Sequence, residues 1–410
     1  MADVAMLQFP ALAQAICDRC LGRRLIGAAG VDAQRQAAGA ARTWPEVAEA
    51  GCPICEGAFA EADEWLHAAL GAAKPYEFAT FQVGTRFPGP CEGHERDVAA
   101  AMGAEKVGEN IRTEANRLLA ARIAAATGAT TAPEGTPDIV IDVDARYWTA
   151  SAQANAVFVK GRYNKLRRDI PQTHWPCRRC QGRGCWECGG TGVTYAESVE
   201  DAIGIPAEPL FGATGHSFHG AGREDIDALM LGTGRPFILE LADPHRRTAD
   251  LAALESQVNA ATATSGVAIR DLRMAEKAEV AAIKEGEYQK EYLAHCLAET
   301  PVARTQVEAV CVQLTGAVLE QRTPDRVAHR RADLVRKRSL HKVDLDAMAE
   351  DLGTRFSIRV RAESGTYIKE MVSGDEGRTV PSFSALASVP VKVEFLDVLA
   401  ILDQLPKPPP

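Results

Sequence analysis

Eight of the eleven cysteines fall in Cys-x-x-Cys pairs: Cys17/Cys20, Cys52/Cys55, Cys177/Cys180 and Cys185/Cys188. Two thiolates at this spacing can chelate one ion from a tight turn, and two such pairs complete a tetrahedral four-sulfur site that suits zinc. The chain is expected in the cytosol, where disulfides are disfavoured, so metal is the better reading. A redox Cys-x-x-Cys would stand alone before a helix in a βαβ context, and none of the four does. Proximity in sequence groups Cys17, Cys20, Cys52 and Cys55 in one site, and Cys177, Cys180, Cys185 and Cys188 in a second, within CRRCQGRGCWECGGTG. Gly182, Gly184, Gly189 and Gly190 supply turns that let the second set converge. The alternative for that set is a structural loop whose thiols are vacant or oxidised. Four sulfurs leave no open position for water, so both sites are expected to be structural.

A different chemistry is suggested by three segments rich in glycine and charge. Gly220–Pro236 (GAGREDIDALMLGTGRP) has the composition of an active-site loop, with neither the lysine of a phosphate-binding loop nor dinucleotide-type glycine spacing. It holds Arg223-x-Asp225, which on an extended strand would share a face. An aspartate among cations stays ionised and suits a nucleophile. Glu363–Pro381 places Tyr367, Lys369 and Arg378 after a strand end, and a buried lysine there facing Asp225 would hold that carboxylate ionised. The third segment, KEYLAHC, puts Tyr292 at a strand start. Singly, each has a bland reading: a surface ion pair, a core tyrosine.

The elements that must position these residues read as α+β. At 410 residues, two to four domains are expected. A helical zinc unit is expected over 1–60, an α+β module over 61–172, the second knuckle over 173–195 and a mixed catalytic domain over 196–410. Strands are expected at Glu77–Gly84, Asp138–Val143, Ala156–Val159, Phe237–Leu241, Val307–Leu314 and Phe356–Ala362, and helices at Trp65–Leu70, Glu95–Ala126, Val199–Ile203 and Leu345–Leu352. Leu405-Pro-Lys-Pro-Pro-Pro reads as a polyproline-like tail. No run of about 18 apolar residues occurs, so no membrane span or membrane partner is expected. The N-terminus does not read as a signal peptide.

The net charge is −9, from 46 basic and 55 acidic residues, which alone argues against a nucleic-acid partner. Its distribution argues otherwise. Gln321–Lys342 and Lys160–Cys188 each carry eight Lys/Arg against two acids. Two basic islands on an acidic chain are what local phosphate contact needs, although solvated helix faces look the same.

GREDIDALMLGTGRPFILEL resembles the catalytic-aspartate motif of the archaeal Pus-ten family of tRNA pseudouridine synthases. The resemblance continues through GRYNKLRRDIPQTHWPCRRCQGRGC, QRTPDRVAHRRADLVRKR, GTYIKEMVSGDEGRTVPS and the N-terminal Cys-x-x-Cys pairs, so it spans nearly the whole chain. It implies an N-terminal zinc and THUMP-like accessory region, then a pseudouridine synthase domain with a curved antiparallel sheet. It implies isomerisation of the adjacent T-loop uridines of tRNA, positions 54 and 55, with no organic cofactor and no obligate protein partner. By this resemblance Asp225 is the catalytic aspartate, Tyr292 the aromatic wall that also helps remove the C5 proton, Lys369 the basic partner of the carboxylate and Tyr367 a substrate contact. Arg326, His329, Arg330 and Arg331 would grip tRNA phosphates. Leu229 stands where the family pattern has a basic residue; either Arg223 or Arg235 replaces that cation or the phosphate grip is weaker. Two other readings fit parts of the chain: a non-catalytic zinc-containing tRNA-binding scaffold, and a chaperone module, since about sixteen residues resemble the J-protein cysteine repeat.

Overall fold

The computed structural model describes residues 8–105, 107–132, 135–325 and 332–402. The chain forms two compact units, Met1–Ala156 with Asp243–Arg247, and Val157–Ala242 with Thr248–Pro410. Each has its own apolar core.

In the first unit, strands β1 (Thr80–Arg86), β2 (Thr130–Thr131), β3 (Ile139–Asp144) and β4 (Thr149–Ala154) form a sheet of order β2-β1-β3-β4. β1 runs parallel to β2 and β3, and β4 closes a hairpin on β3. The single helix expected over Glu95–Ala126 is two helices, Gly89–Met102 and Ile111–Thr127. The break is chemical. Gly103 takes the left-handed conformation at φ 69°, and the Asn110 side chain accepts from the Thr113 N–H to cap the second helix. The core shows no break near residue 60: Cys17, Cys20, Cys52 and Cys55 pack in one apolar cluster with Phe81 and Ile139. The fully buried Arg23 joins them to the helices, pairing with Glu114 at 2.6 Å and Glu95 at 3.0 Å.

The second unit is built on β5 (Val157–Lys165), β6 (Gly215–Gly220), β7 (Met230–Ala242), β8 (Val267–Ala275), β9 (Lys290–Ala303), β10 (Val318–Arg322), β11 (Val335–Ala347), β12 (Leu352–Ala362), β13 (Thr379–Val380) and β14 (Val391–Ile401). The order is β13-β10-β11-β12-β9-β14-β7-β5-β8, with β6 also on β7. Every pairing is antiparallel except β7 with β14. β5, expected in the preceding module, belongs to this sheet.

Two expectations are overturned here. Val307–Leu314, read as a strand, lies in the helix Arg304–Leu314. Its buried residues, Val307, Val310, Cys311 and Leu314, fall at i, i+3, i+4 and i+7, one helical stripe. Leu345–Leu352, read as a helix, is the end and turn of the β11–β12 hairpin, with Leu345 opposite Ile358; pairing along a long strand overrides local propensity.

Candidate active site and metal centres

Five segments of the second unit meet at a cleft of about 290 Å³, β14 lining it with Leu396 and Val398. Residues 221–229 join β6 to β7 and carry Arg223, Glu224 and Asp225. The end of β12 leads through Tyr367 into the short helix Ile368–Ser373, whose first turn bears Lys369. β9 contributes Lys290 and Tyr292, and β7 contributes Arg235. The expected loop Gly220–Pro236 is therefore shorter than its composition suggested, because Met230–Pro236 already belongs to β7. Nor is Arg223-x-Asp225 extended strand. A turn follows Asp225, closed by the Ala228 N–H donating to the Asp225 carbonyl at 3.0 Å.

Asp225 and Lys369 do meet: the ammonium lies 3.5 Å from Asp225 Oδ2 and 3.3 Å from Asp227 Oδ2. The lysine is part-exposed rather than buried. Tyr292 is buried, and burial pushes its phenol up to about 12, with Arg235 opposing and the Asp225 charge adding to the effect. At neutral pH it is a neutral aromatic face with an O–H to donate.

The loop is held from below by a buried ionic layer. Lys165, fully buried on β5, donates to the carbonyls of Ile170 (3.0 Å), Asp225 (3.2 Å) and Ile226 (2.9 Å). Glu224 turns inward, accepting from Tyr163 Oη at 2.9 Å and from Arg235 Nε at 2.8 Å. Arg235 also donates to the Ala221 carbonyl at 2.7 Å. It lines the cleft, but its guanidinium is 1% exposed and engaged with protein, which is the geometry of a support rather than a phosphate clamp. Gly222, at φ 76°, passes so close that a Cβ there would sit 3.0 Å from Lys290 Nζ. Burial and the neighbouring Arg235 lower the Lys290 ammonium to about 8, partly opposed by Glu224.

The first basic island is mostly spent inside the protein. Lys160 pairs with Glu279, Arg167 with Glu197 and Arg168 with Asp397, while Arg162 donates to the Thr233 and Ile401 carbonyls. Only Arg178, Arg179 and Arg183, in the cysteine ribbon, are both basic and exposed within 174–188. Arg168 lies near Leu229. It donates to the Asp227 carbonyl at 2.6 Å, and its partner Asp397 accepts from the Leu229 N–H at 3.2 Å, so a cation from another segment stands beside this turn. Arg378 is not at the cleft; it lies by Asp325 (3.6 Å) and the Thr323 carbonyl. Arg326, His329, Arg330 and Arg331 lie outside the described residues, as does the proline-rich tail.

Both cysteine sets converge. Within each set the four sulfurs lie within 4.8 Å of one another. Individual spacings are 3.7 Å for Cys17–Cys55, 3.8 Å for Cys177–Cys185 and 3.9 Å for Cys180–Cys188. Four sulfurs placed tetrahedrally at ~2.3 Å from an ion would be ~3.8 Å apart. Cys188 Sγ also accepts backbone N–H groups from Cys185 and Gly192, both at 3.2 Å, which favours a thiolate. The donor sets fit a structural metal.

The family described as Pus10, C-terminal, matches residues 158–402, which contain the whole cleft and the second cysteine set. The chain belongs to the Pus10 family. The archaeal Pus10 THUMP domain matches residues 65–144, inside the module expected over 61–172. The tRNA pseudouridine synthase Pus10 of Halorubrum lacusprofundi is 39% identical over 94% of this chain and 93% of its own. The Methanopyrus kandleri Pus10 is 39% identical over 86% of this chain and 81% of its own, and that of Methanothermobacter marburgensis 37% over 94% and 95%. Within this Pus10 framework, sequence reasoning missed Glu224, Lys165 and Lys290. Lys290 had a readable signal, since it stands two residues before Tyr292 on a strand and so shares its face. Lys165 had none, being buried within a run that reads as solvated charge. Among the described residues no helix is long and apolar enough to cross a membrane.

Proposed function

We propose that this chain isomerises uridine to pseudouridine in tRNA, with the adjacent T-loop uridines at positions 54 and 55 as targets and Asp225 as the catalytic carboxylate. The observation that carries this is the meeting of Asp225, Lys369 and Tyr292 in one cleft of the region matched by the Pus10 C-terminal family. The target uridine leaves its stack and enters the cleft. Asp225 attacks the ribose or removes a proton from it, and the C1′–N1 bond breaks. The freed uracil turns over and its C5 bonds to C1′, displacing the Asp225 carboxylate or, on the other route, with the ribose recovering the proton it gave to Asp225; C5 then gives up its proton and N1 gains one. The balance needs no oxidant, reductant or organic cofactor.

Each neighbour has a part consistent with its surroundings. Lys369 pairs with the carboxylates of Asp225 and Asp227 and holds them side by side at the cleft. Tyr292 walls the pocket so that the cleaved base stays in register for rejoining. Arg223 and Tyr367, at the rim, contact the substrate. Arg326, His329, Arg330, Arg331 and Arg378 grip phosphates of the tRNA. Cys17, Cys20, Cys52 and Cys55, and Cys177, Cys180, Cys185 and Cys188, would each hold a zinc ion, which with four sulfur ligands would be structural. Cysteines grouped as metal ligands, together with a tRNA substrate, favour a cytosolic location.

The test is carbodiimide primer extension on an unmodified tRNA transcript, with wild type and Asp225→Ala in parallel. Stops at the T-loop uridines with wild type alone are expected, with tRNA binding and melting temperature retained in the variant. Binding without stops from either protein would favour the scaffold reading, and unfolding of Asp225→Ala would make the residue structural.

A further inference from the structure

The second cysteine ribbon is more than a knot in the chain. Its neck is two short extended stretches: Cys177 N–H donates to the Gly192 carbonyl at 2.7 Å, and Thr194 N–H to the Trp175 carbonyl at 2.9 Å. At the foot of the neck, Trp175 packs edge-on against Tyr195 and lies under the guanidinium of Arg223, 5.7 Å from its ring centre. Arg223 is also at the rim of the cleft. The ribbon therefore springs from the edge of the candidate active site.

Its far end carries Trp186, whose indole is 76% exposed, more than any other large apolar side chain among the described residues. A single exposed apolar side chain is ordinary, but an indole offers a flat π-face on which a base can stack. One face is already backed by Arg179, 4.7 Å from the ring centre. Arg178 and Arg183 are exposed beside it, and Glu187 is the one acid between Cys177 and Cys188. A flat aromatic face backed by a guanidinium, on a cationic and metal-fitted frame, matches one ligand chemistry: an unstacked nucleobase on a polyanionic strand.

Resting on the proposed tRNA substrate, we infer that the Cys177–Cys188 ribbon is an RNA contact in which Trp186 stacks on an unpaired base of the tRNA. Arg178 and Arg183 face the adjoining phosphates, while Arg179 backs the indole and pairs with Glu187 at 3.8 Å. The contact helps hold the tRNA while the target uridine occupies the cleft.

The experiment uses the full, metal-loaded chain and an unmodified tRNA transcript, with Kd from anisotropy and single-turnover pseudouridine formation at saturating tRNA. Trp186→Ala is expected to weaken Kd about tenfold, equivalent to about 1.4 kcal/mol. Its rate at saturation and its metal content stay as in wild type. Trp186→Phe keeps a stacking face and should recover most of the affinity. Because the indole is neutral, the dependence of log K on log salt should keep its slope in Trp186→Ala and become shallower when Arg178, Arg179 and Arg183 are replaced together. Unchanged affinity in Trp186→Ala overturns the contact while leaving the isomerase reading intact. An equal loss in Trp186→Phe also overturns stacking. A wild type that binds tRNA without forming pseudouridine sinks the isomerase reading alone, and one that does not bind tRNA sinks both.

Discussion

Lys290 is a charge the cleft keeps at a cost. Its ammonium is lowered from 10.5 to about 8 by burial and by Arg235, with Glu224 opposing. Between about 8 and 10.5 the unfolded chain therefore binds more protons than the folded one. Stability should rise with pH across that window, and the burial cost is fully present below about 8. Lys290→Met, similar in shape and uncharged, is expected to melt higher than wild type at pH 7 and to lose this pH-dependent gain; a lower melting temperature would refute the argument. The retained charge suits a polyanionic substrate. Wild-type kcat/KM should fall as pH rises through about 8, and Lys290→Arg, charged throughout, should flatten that limb. At this scale the motif residues were legible, because glycine-rich surroundings and a specific family pattern mark Asp225, Tyr292 and Lys369. What was not legible is which charges are buried. Arg235 and Lys165 sit in sequence among other polar residues, and only the fold shows that one braces Glu224 and the other the loop backbone.

The loop 221–229, which carries Asp225, is held by its own turn and from two strands, by Arg235 on β7 and by Lys165 on β5. Three carbonyls, from Ile170, Asp225 and Ile226, converge on the single ammonium of Lys165. Removing that donor leaves buried acceptors unpaired, at ~1–3 kcal/mol for each that water cannot reach. Lys165→Met should thus lower stability by roughly 2 kcal/mol and cut the single-turnover rate at least tenfold, since Asp225 loses its fixed place. Denaturant titration and single-turnover kinetics would check both, and a variant less stable but with an unaltered rate would show that the loop holds itself. The misread elements share a cause with this dependence. Val307–Leu314 satisfies a strand's composition and a helix's spacing at once, and packing against the sheet decides between them. Leu345–Leu352 looks helical locally and becomes hairpin because β12 offers a partner along β11. Elements whose ends are chemically marked were easier, as with Gly128 at the end of Ile111–Thr127.

At the scale of the whole chain, the two cysteine sets do different work, and their burial says which. Cys17, Cys20, Cys52 and Cys55 are at most 1% exposed and lie within the apolar core of the first unit. Cys185 and Cys188 are part-exposed, on a ribbon tied to its own unit chiefly through its neck. Metal held at the first set is therefore part of the folding free energy of that unit, and metal at the second shapes only the ribbon. A strong chelator at pH 7 should remove metal in two phases. The early phase, from the ribbon, should weaken tRNA binding while the far-ultraviolet circular dichroism stays constant. The late phase should coincide with loss of helical signal, because the helices Gly89–Met102 and Ile111–Thr127 are fastened to the first set through Arg23. Cys52→Ser should reproduce the late phase alone and Cys188→Ser the early one. Release of all metal in a single step that also unfolds the chain would show that the ribbon is not the separable, RNA-facing element its exposure suggests.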